Sequence, residues 1–250
     1  MQSELNIAVV IPAYNEAATI RDVAGRALQQ CERVIVVDDG SSDDTVAQLD
    51  GLKVTVLANE TNRGKAAGLW RGMQQAMAMG CDAVITLDGD GQHDPADIPL
   101  LVAAASRCPQ HVVIAARLGN RQSAPRARLF ANNFADFWIS WASGQWVHDS
   151  QSGFRLYPVA LLKEAVNERS LRHGFVFESE ILIEGIRKGY AAVSVPIDSV
   201  YRKGARPSHF RPVADITLIV KMVAWKLLRR GMFPTGLWRA LSTRGTGILA

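Results

Sequence analysis

The first half of the chain alternates short, β-branched apolar runs with longer segments of helical periodicity, and few folds accommodate that order. Residues 7–11, 33–38, 53–58, 83–88 and 112–116 are rich in Val and Ile. Segments 17–30, 42–49, 63–79 and 97–107 lie between them and read as helices. Strand followed by helix, repeated, predicts an α/β fold with a mostly parallel sheet flanked by helices. At 250 residues and 48% hydrophobic, the chain is long enough to bury a sizeable core. Residues 1–200 are read as one domain without repeats, and residues 201–250 as a basic tail ending in helical segments.

In an open α/β sheet, ligands sit beyond the carboxyl ends of the strands. The loops expected there are all polar. The first is Pro12-Ala13-Tyr14-Asn15-Glu16, the second runs from Asp38 and Asp39 to Thr45, and the third contains Asn62-Arg63-Gly64-Lys65. The fourth is Asp88-Gly89-Asp90-Gly91-Gln92-His93-Asp94-Pro95. Residues two apart in an extended segment face the same way, so Asp88 and Asp90 can share one hard cation such as Mg²⁺ or Mn²⁺. A solvated acidic turn uses the same residues, Asp-Gly being a common turn former, and this stretch alone fits both readings. Asp38 could hydrogen-bond a base or ribose, while Ser41, Ser42 and Asp43 are expected to cap the next helix. His93 is expected to pack and hydrogen-bond within its own turn, with contact to a phosphate as the alternative. The glycine fingerprint of dinucleotide-binding folds and the Walker phosphate loop are both missing, which argues against those nucleotide folds.

With Asp149-Ser150-Gln151-Ser152-Gly153-Phe154-Arg155 added, five motifs stand in register over roughly residues 6 to 211. The chain thereby resembles a family 2 glycosyltransferase of the GT-A fold, most of all the polyprenol-phosphate (dolichol-phosphate) sugar transferase branch. The resemblance implies that Pro12, Tyr14, Glu16, Val36 and Asp38 hold the nucleotide of a nucleotide-sugar donor. It implies that Asp88, Asp90 and Gln92 hold Mg²⁺ or Mn²⁺ on the donor diphosphate, and that transfer proceeds by a single inverting displacement. Arg117, after the fifth strand, matches a family position for a donor or acceptor phosphate. Lys65 is a second cation for the phosphates, or else a solvated lysine at a helix start.

The acceptor decides which catalytic groups are needed. A hydroxyl must lose a proton as it attacks and so requires a carboxylate base, for which Asp149 is the candidate. A phosphate oxygen is already anionic and needs only cations that hold it in line. Residues 201–211 resemble the branch's basic acceptor segment: Arg202 and Ser208 match it, and His209 stands where the branch has Lys. With a phosphate acceptor, Asp149 is expected instead to orient Arg155 or the metal loop. Asp90, Asp149 and Arg117 are thus the catalytic candidates.

Charge is unevenly distributed, at +9 over residues 201–250 against −5 over residues 1–200. A basic tail faces an anionic partner. Ile216, Ile219, Val220, Val223 and Leu227 recur at helical spacing, but Asp215, Lys221 and Lys226 interrupt any spanning run. A helix lying on an anionic membrane surface is therefore expected, with docking on the domain as the alternative and no nucleic acid as partner. The aromatic-rich helix over residues 126–145 is expected to pack in the core, a lipid track being the alternative. Cys31, Cys81 and Cys108 are scattered, and no signal-peptide pattern precedes the first strand. Together these point to a cytoplasmic enzyme, peripheral on the inner face of the cell membrane.

Overall fold

The computed structural model describes residues 5–119, 126–166, 174–198 and 212–249. Its centre is a seven-stranded sheet built from β1 (Ile7–Ala13), β2 (Val34–Asp38), β3 (Thr55–Ala58), β4 (Ala83–Thr86), β5 (Val112–Ala116), β6 (Arg155–Pro158) and β7 (Ala192–Pro196). The order is β3-β2-β1-β4-β6-β5-β7, and β6 alone runs antiparallel to its two neighbours. Every residue of β2, β4 and β5 is buried. Both faces of the sheet are covered, so these strands are continuous apolar runs rather than alternating ones.

The helices are α1 (Ile20–Leu28), α2 (Lys65–Ala78), α3 (Ile98–Arg107), α4 (Arg126–Ser143), α5 (Val159–Ala165), α6 (Gly174–Arg187), α7 (Pro212–Leu228) and α8 (Pro234–Ser242). One buried cluster joins Val10, Val37, Leu69, Met73 and Phe177 with Ile219, Val223 and Leu227 of α7. The other joins Val9, Ile11, Val36 and Ile85 with Val23 of α1 and Leu101 of α3. The strand order reverses between β1 and β4, the topological switch point where such sheets open a crevice. Because β6 is antiparallel, its first residue, Arg155, pairs with Thr86 at the end of β4. The loop before β6 is thereby delivered to the same edge as the loop after β4.

The helix expected over residues 42–49 is replaced by turns and a single 3-10 turn, Ala47–Leu49. The polar side chains of that segment serve the neighbouring loop instead of a helix of their own. Ser41 Oγ, Thr45 Oγ1 and Asp43 Oδ2 accept the backbone N–H groups of Asn15, Glu16 and Ala17. Side-chain bonds of this kind compete with helix formation, and here they tie the second loop to the first.

The described part of the basic tail, residues 212–249, is not detached. Ile219, Val223 and Leu227 are buried, and Lys226 pairs with Glu180 and Glu184 of α6. The opposite side of the same region exposes Trp225, Leu228, Met232 and Trp238 beside Arg229, Arg230 and Arg239. The aromatic helix divides similarly. Trp138 and Trp141 pack against the core, whereas Phe130 is 74% exposed and stacks on Phe134.

Gly40, in the second loop, has φ +73°, and a Cβ there would lie 2.8 Å from the backbone carbon of Thr61. Gly51 has φ +79° with open space around it. Gly51→Ala is therefore expected to cost about 1 kcal/mol for conformation alone, and Gly40→Ala about twice that or more, since overlap with rigid backbone is added. Urea unfolding of the two variants checks the ranking, and equal losses would contradict it.

Candidate active site

The site is assembled from loop ends along the carboxyl edge of the sheet. Asp38 closes β2 and is 3% exposed. Its Oδ2 accepts the Ser41 N–H at 3.2 Å, while its Oδ1 is buried without a hydrogen-bond partner among the described residues. A buried acceptor left open is costly unless a donor arrives, which suits a base or ribose. Thr19 Oγ1 donates to Gly89 O at 2.7 Å, tying the first loop to the acidic one, and Glu16 Oε2 lies 3.3 Å from the same hydroxyl. Pro12 and Tyr14 lie half-buried on this edge. Val36, two residues before Asp38 on β2, has a fully buried side chain.

Asp39 points away from Asp38, as alternation along an extended segment requires. It accepts Asn59 Nδ2 and the backbone N–H groups of Arg63 and Gly64 at 2.7–2.9 Å. This clamp places the start of α2, and hence Lys65. Lys65 is not a solvated lysine. Its Nζ lies 2.7 Å from Asp88 Oδ1 and 3.1 Å from Glu178 Oε2 of α6.

Asp88 and Asp90 come together through a turn rather than along an extended strand, since β4 ends at Thr86. Gly153 allows the close approach of the opposite loop, where a Cβ would lie 2.5 Å from Asp88 Oδ2. Burial raises the Asp88 carboxyl, but the charge and hydrogen bond of Lys65, together with the more distant His93 and Arg117, more than offset this and leave it below the usual carboxylate range. Burial and then the Asp88 charge push Asp90 up. Asp90 Oδ1 accepts the Gln92 N–H at 3.0 Å, which orients the turn. Two hard carboxylates of this kind, with Gln92 beside them, fit Mg²⁺ or Mn²⁺ and leave room for phosphate oxygens. His93 is 4% exposed and packs on Phe154 with ring centroids 5.5 Å apart. Its Nδ1 makes no hydrogen bond among the described residues, so the expected bond within its own turn is not made there. Burial lowers its pKa to about 4 and keeps it neutral.

Arg117 and Asp149 form the most complete ion pair of the site. Asp149 Oδ2 accepts both the Arg117 backbone N–H and Nε at 2.8 Å, and Oδ1 accepts Nη2 at 2.7 Å. Burial raises Asp149, yet this bidentate pairing holds its carboxyl below the usual range. Arg155, the expected partner of Asp149, is fully buried elsewhere. It donates to the carbonyls of Ser150, Ser152 and Glu178 and to Tyr157 Oη, bracing the loop from within. Arg202, Ser208 and His209 lie outside the described residues.

Three site residues were not legible beforehand: Asp39, Glu178 and Asp136. The Asp38-Asp39 doublet at a strand end was a usable signal for the first. Glu178 and Asp136 lie inside helices, and only the packing of α6 and α4 brings them here. Asp136 accepts the N–H groups of Asp149 and Ser150 at 3.1 and 2.7 Å. It thereby supports Asp149 in a left-handed conformation, φ +51°, which is costly for a residue with a side chain.

Residues 8–165 match the model of the family described as "Glycosyl transferase family 2". The chain is 28% identical over 216 residues to a UDP-N-acetylglucosamine–dolichyl-phosphate N-acetylglucosaminyltransferase of Methanococcus voltae, covering 78% of this chain and 86% of that protein. It is also 28% identical over 206 residues to polyprenol monophosphomannose synthase of Mycolicibacterium smegmatis, covering 78% and 77%. Glucosyl-3-phosphoglycerate synthase of Mycobacterium tuberculosis, crystallised with phosphoglyceric acid, superposes with TM-score 0.65 at 23% identity, over 93% of this chain and 82% of that one. At that identity the likeness establishes the fold, and the fold is GT-A.

Burial raises the Asp136 carboxyl from 3.8 to about 6. Between those values the folded chain binds a proton that the unfolded chain does not, so this stabilising contribution is full below pH 3.8 and lost as pH rises through about 6. Relative to Asp136→Asn, the wild type should lose stability across that window and hold a constant difference above it. Chemical denaturation at pH 4, 5, 6 and 7 measures this, and parallel profiles would contradict it.

Proposed function

The chain belongs to glycosyl transferase family 2, and we propose that it moves a sugar, with inversion, from a nucleotide-sugar to the phosphate of a polyprenyl lipid. The carrying observation is that both oxygens of Asp149 are engaged by Arg117. A carboxylate so held, with lowered proton affinity, is a poor general base, because a base must be free to take the acceptor's proton. A lipid phosphate has no proton to give up at neutral pH. It needs cations, and the fixed guanidinium of Arg117 is one of them.

The displacement then balances simply. A phosphate oxygen of the lipid attacks the anomeric carbon from the face opposite the leaving group. The new carbon–oxygen bond forms as the bond to the nucleotide diphosphate breaks, and the electron pair leaves with the diphosphate. Asp38 is suited to the nucleoside, with Pro12, Tyr14 and Glu16 beside it on the same edge. Asp88 and Asp90, with Gln92, would hold Mg²⁺ or Mn²⁺, which when bound supplies Lewis-acid neutralisation of the departing diphosphate. Solved relatives of this fold were crystallised with Mn²⁺ or Mg²⁺ and uridine diphosphate, which supports that reading. Residues 1–200 would form the donor unit. Arg202, Ser208 and His209 would meet the lipid phosphate.

Attachment to the inner face of the membrane is proposed for the side of α7 and α8 turned away from the core. Among the described residues no helix is long and apolar enough to cross a membrane. Trp225 and Trp238 are 60% and 72% exposed beside exposed Lys221, Arg229 and Arg239. Aromatic side chains seat at the lipid interface, and each basic residue near an anionic leaflet contributes about 1 kcal/mol.

Incubation with a panel of labelled nucleotide-sugars, Mn²⁺ and membrane lipid extract tests the reaction. The expected product is a labelled lipid that releases its sugar in mild acid, as a sugar phosphate does, and Asp90→Ala should lower its yield at least a hundredfold. A labelled lipid stable to mild acid would show transfer to a hydroxyl and overturn the phosphate reading.

A further inference from the structure

Lys65 and Glu178 have no role in the displacement as written, yet a half-buried Lys65 links the buried Glu178 to Asp88. The Lys65 ammonium spans Asp88 Oδ1 and Glu178 Oε2 at 2.7 and 3.1 Å. Glu178 is 6% exposed, and its second oxygen, Oε1, is buried without a hydrogen-bond partner among the described residues. An ammonium carries three donors, so Glu178 holds an acceptor in reserve within the cluster that Lys65 already occupies. Arg117 is committed to Asp149. Lys65 is thus the counter-ion that the structure places directly on Asp88.

We propose that Lys65 is a resident counter-ion that occupies Asp88 until a divalent cation takes that carboxylate, whereupon it is retained by Glu178. The role is one of positioning, and it rests on the metal reading given above. A cation entering alone must compete with the paired Lys65 ammonium for one of its two carboxylates. One that enters with a nucleotide diphosphate brings further oxygen ligands and overcomes that competition. Firm metal binding thereby becomes conditional on the donor, and the acidic loop is kept from trapping metal when no donor is present. Glu178 keeps the displaced ammonium paired, since a buried charge without a partner is strongly unfavourable.

Mn²⁺ titration of the nucleotide-free full-length protein, followed by the electron paramagnetic resonance of free Mn²⁺, tests this without any turnover. Lys65→Met should bind Mn²⁺ about tenfold more tightly than wild type, and Lys65→Arg, which keeps the charge, should stay near wild type. Glu178→Gln should bind several-fold more weakly, because Lys65 then loses the carboxylate that shares it with Asp88. The double variant is decisive: in the Lys65→Met background, Glu178→Gln should change the affinity less than twofold, since Glu178 acts through Lys65. Unchanged affinity in Lys65→Met, or an equal effect of Glu178→Gln in both backgrounds, would overturn the proposal. Lys65→Gln serves where circular dichroism shows that the Met variant does not fold. If Asp90→Ala leaves Mn²⁺ binding intact, the metal reading itself fails and the counter-ion role with it. If Asp90→Ala abolishes binding but Lys65→Met does not tighten it, only the counter-ion role fails.

Discussion

Charge buried at the carboxyl edge of the sheet must be compensated inside the protein, and the architecture of the site follows from that requirement. Asp38, Asp39, Asp136, Asp149 and Glu178 are all less than a tenth exposed. Removing carboxylates from water is tolerated only where cations or hydrogen-bond donors replace the lost hydration. Asp39 and Asp136 are met by backbone N–H groups, Asp149 by the Arg117 guanidinium, and Asp88 by Lys65. What is left uncompensated is informative: one oxygen of Asp38 and one of Glu178 have no partner among the described residues. The first suits a ligand donor and the second a displaced ammonium.

The same bookkeeping separates the roles of the two loops that face each other across β4 and β6. The loop after β4 carries two neighbouring carboxylates, and burial and then the Asp88 charge raise Asp90, a condition that favours an added cation. The loop before β6 has the opposite design. Its carboxylate is already consumed by an arginine, and the turn is fixed from behind by Asp136 and the buried Arg155. The loop after β4 is built to bind a cation, and the loop before β6 holds in place the guanidinium of Arg117, which follows β5.

Much of this was legible in the residue order. The buried strands announced themselves as Val- and Ile-rich runs, and the polar loops fell where a parallel sheet opens. Local pattern failed where tertiary bonds overrode it. Residues 42–49 look helical until Asn15, Glu16 and Ala17 claim their side chains. Asp149 and Arg155 are six positions apart in the sequence, yet Arg117, 32 residues away, takes Asp149 instead. Glu178 and Asp136 sit inside ordinary helices, and no spacing rule marks them. The acceptor candidates Arg202, Ser208 and His209 lie outside the described residues.

The most direct test is a crystal structure of the protein with donor and Mn²⁺ bound. The expected result is an ion seated between Asp88 and Asp90 against the diphosphate oxygens, with Arg117 still clasped by Asp149. Both aspartates turned away from the nucleotide would contradict the assignment of this edge as the place where the diphosphate departs.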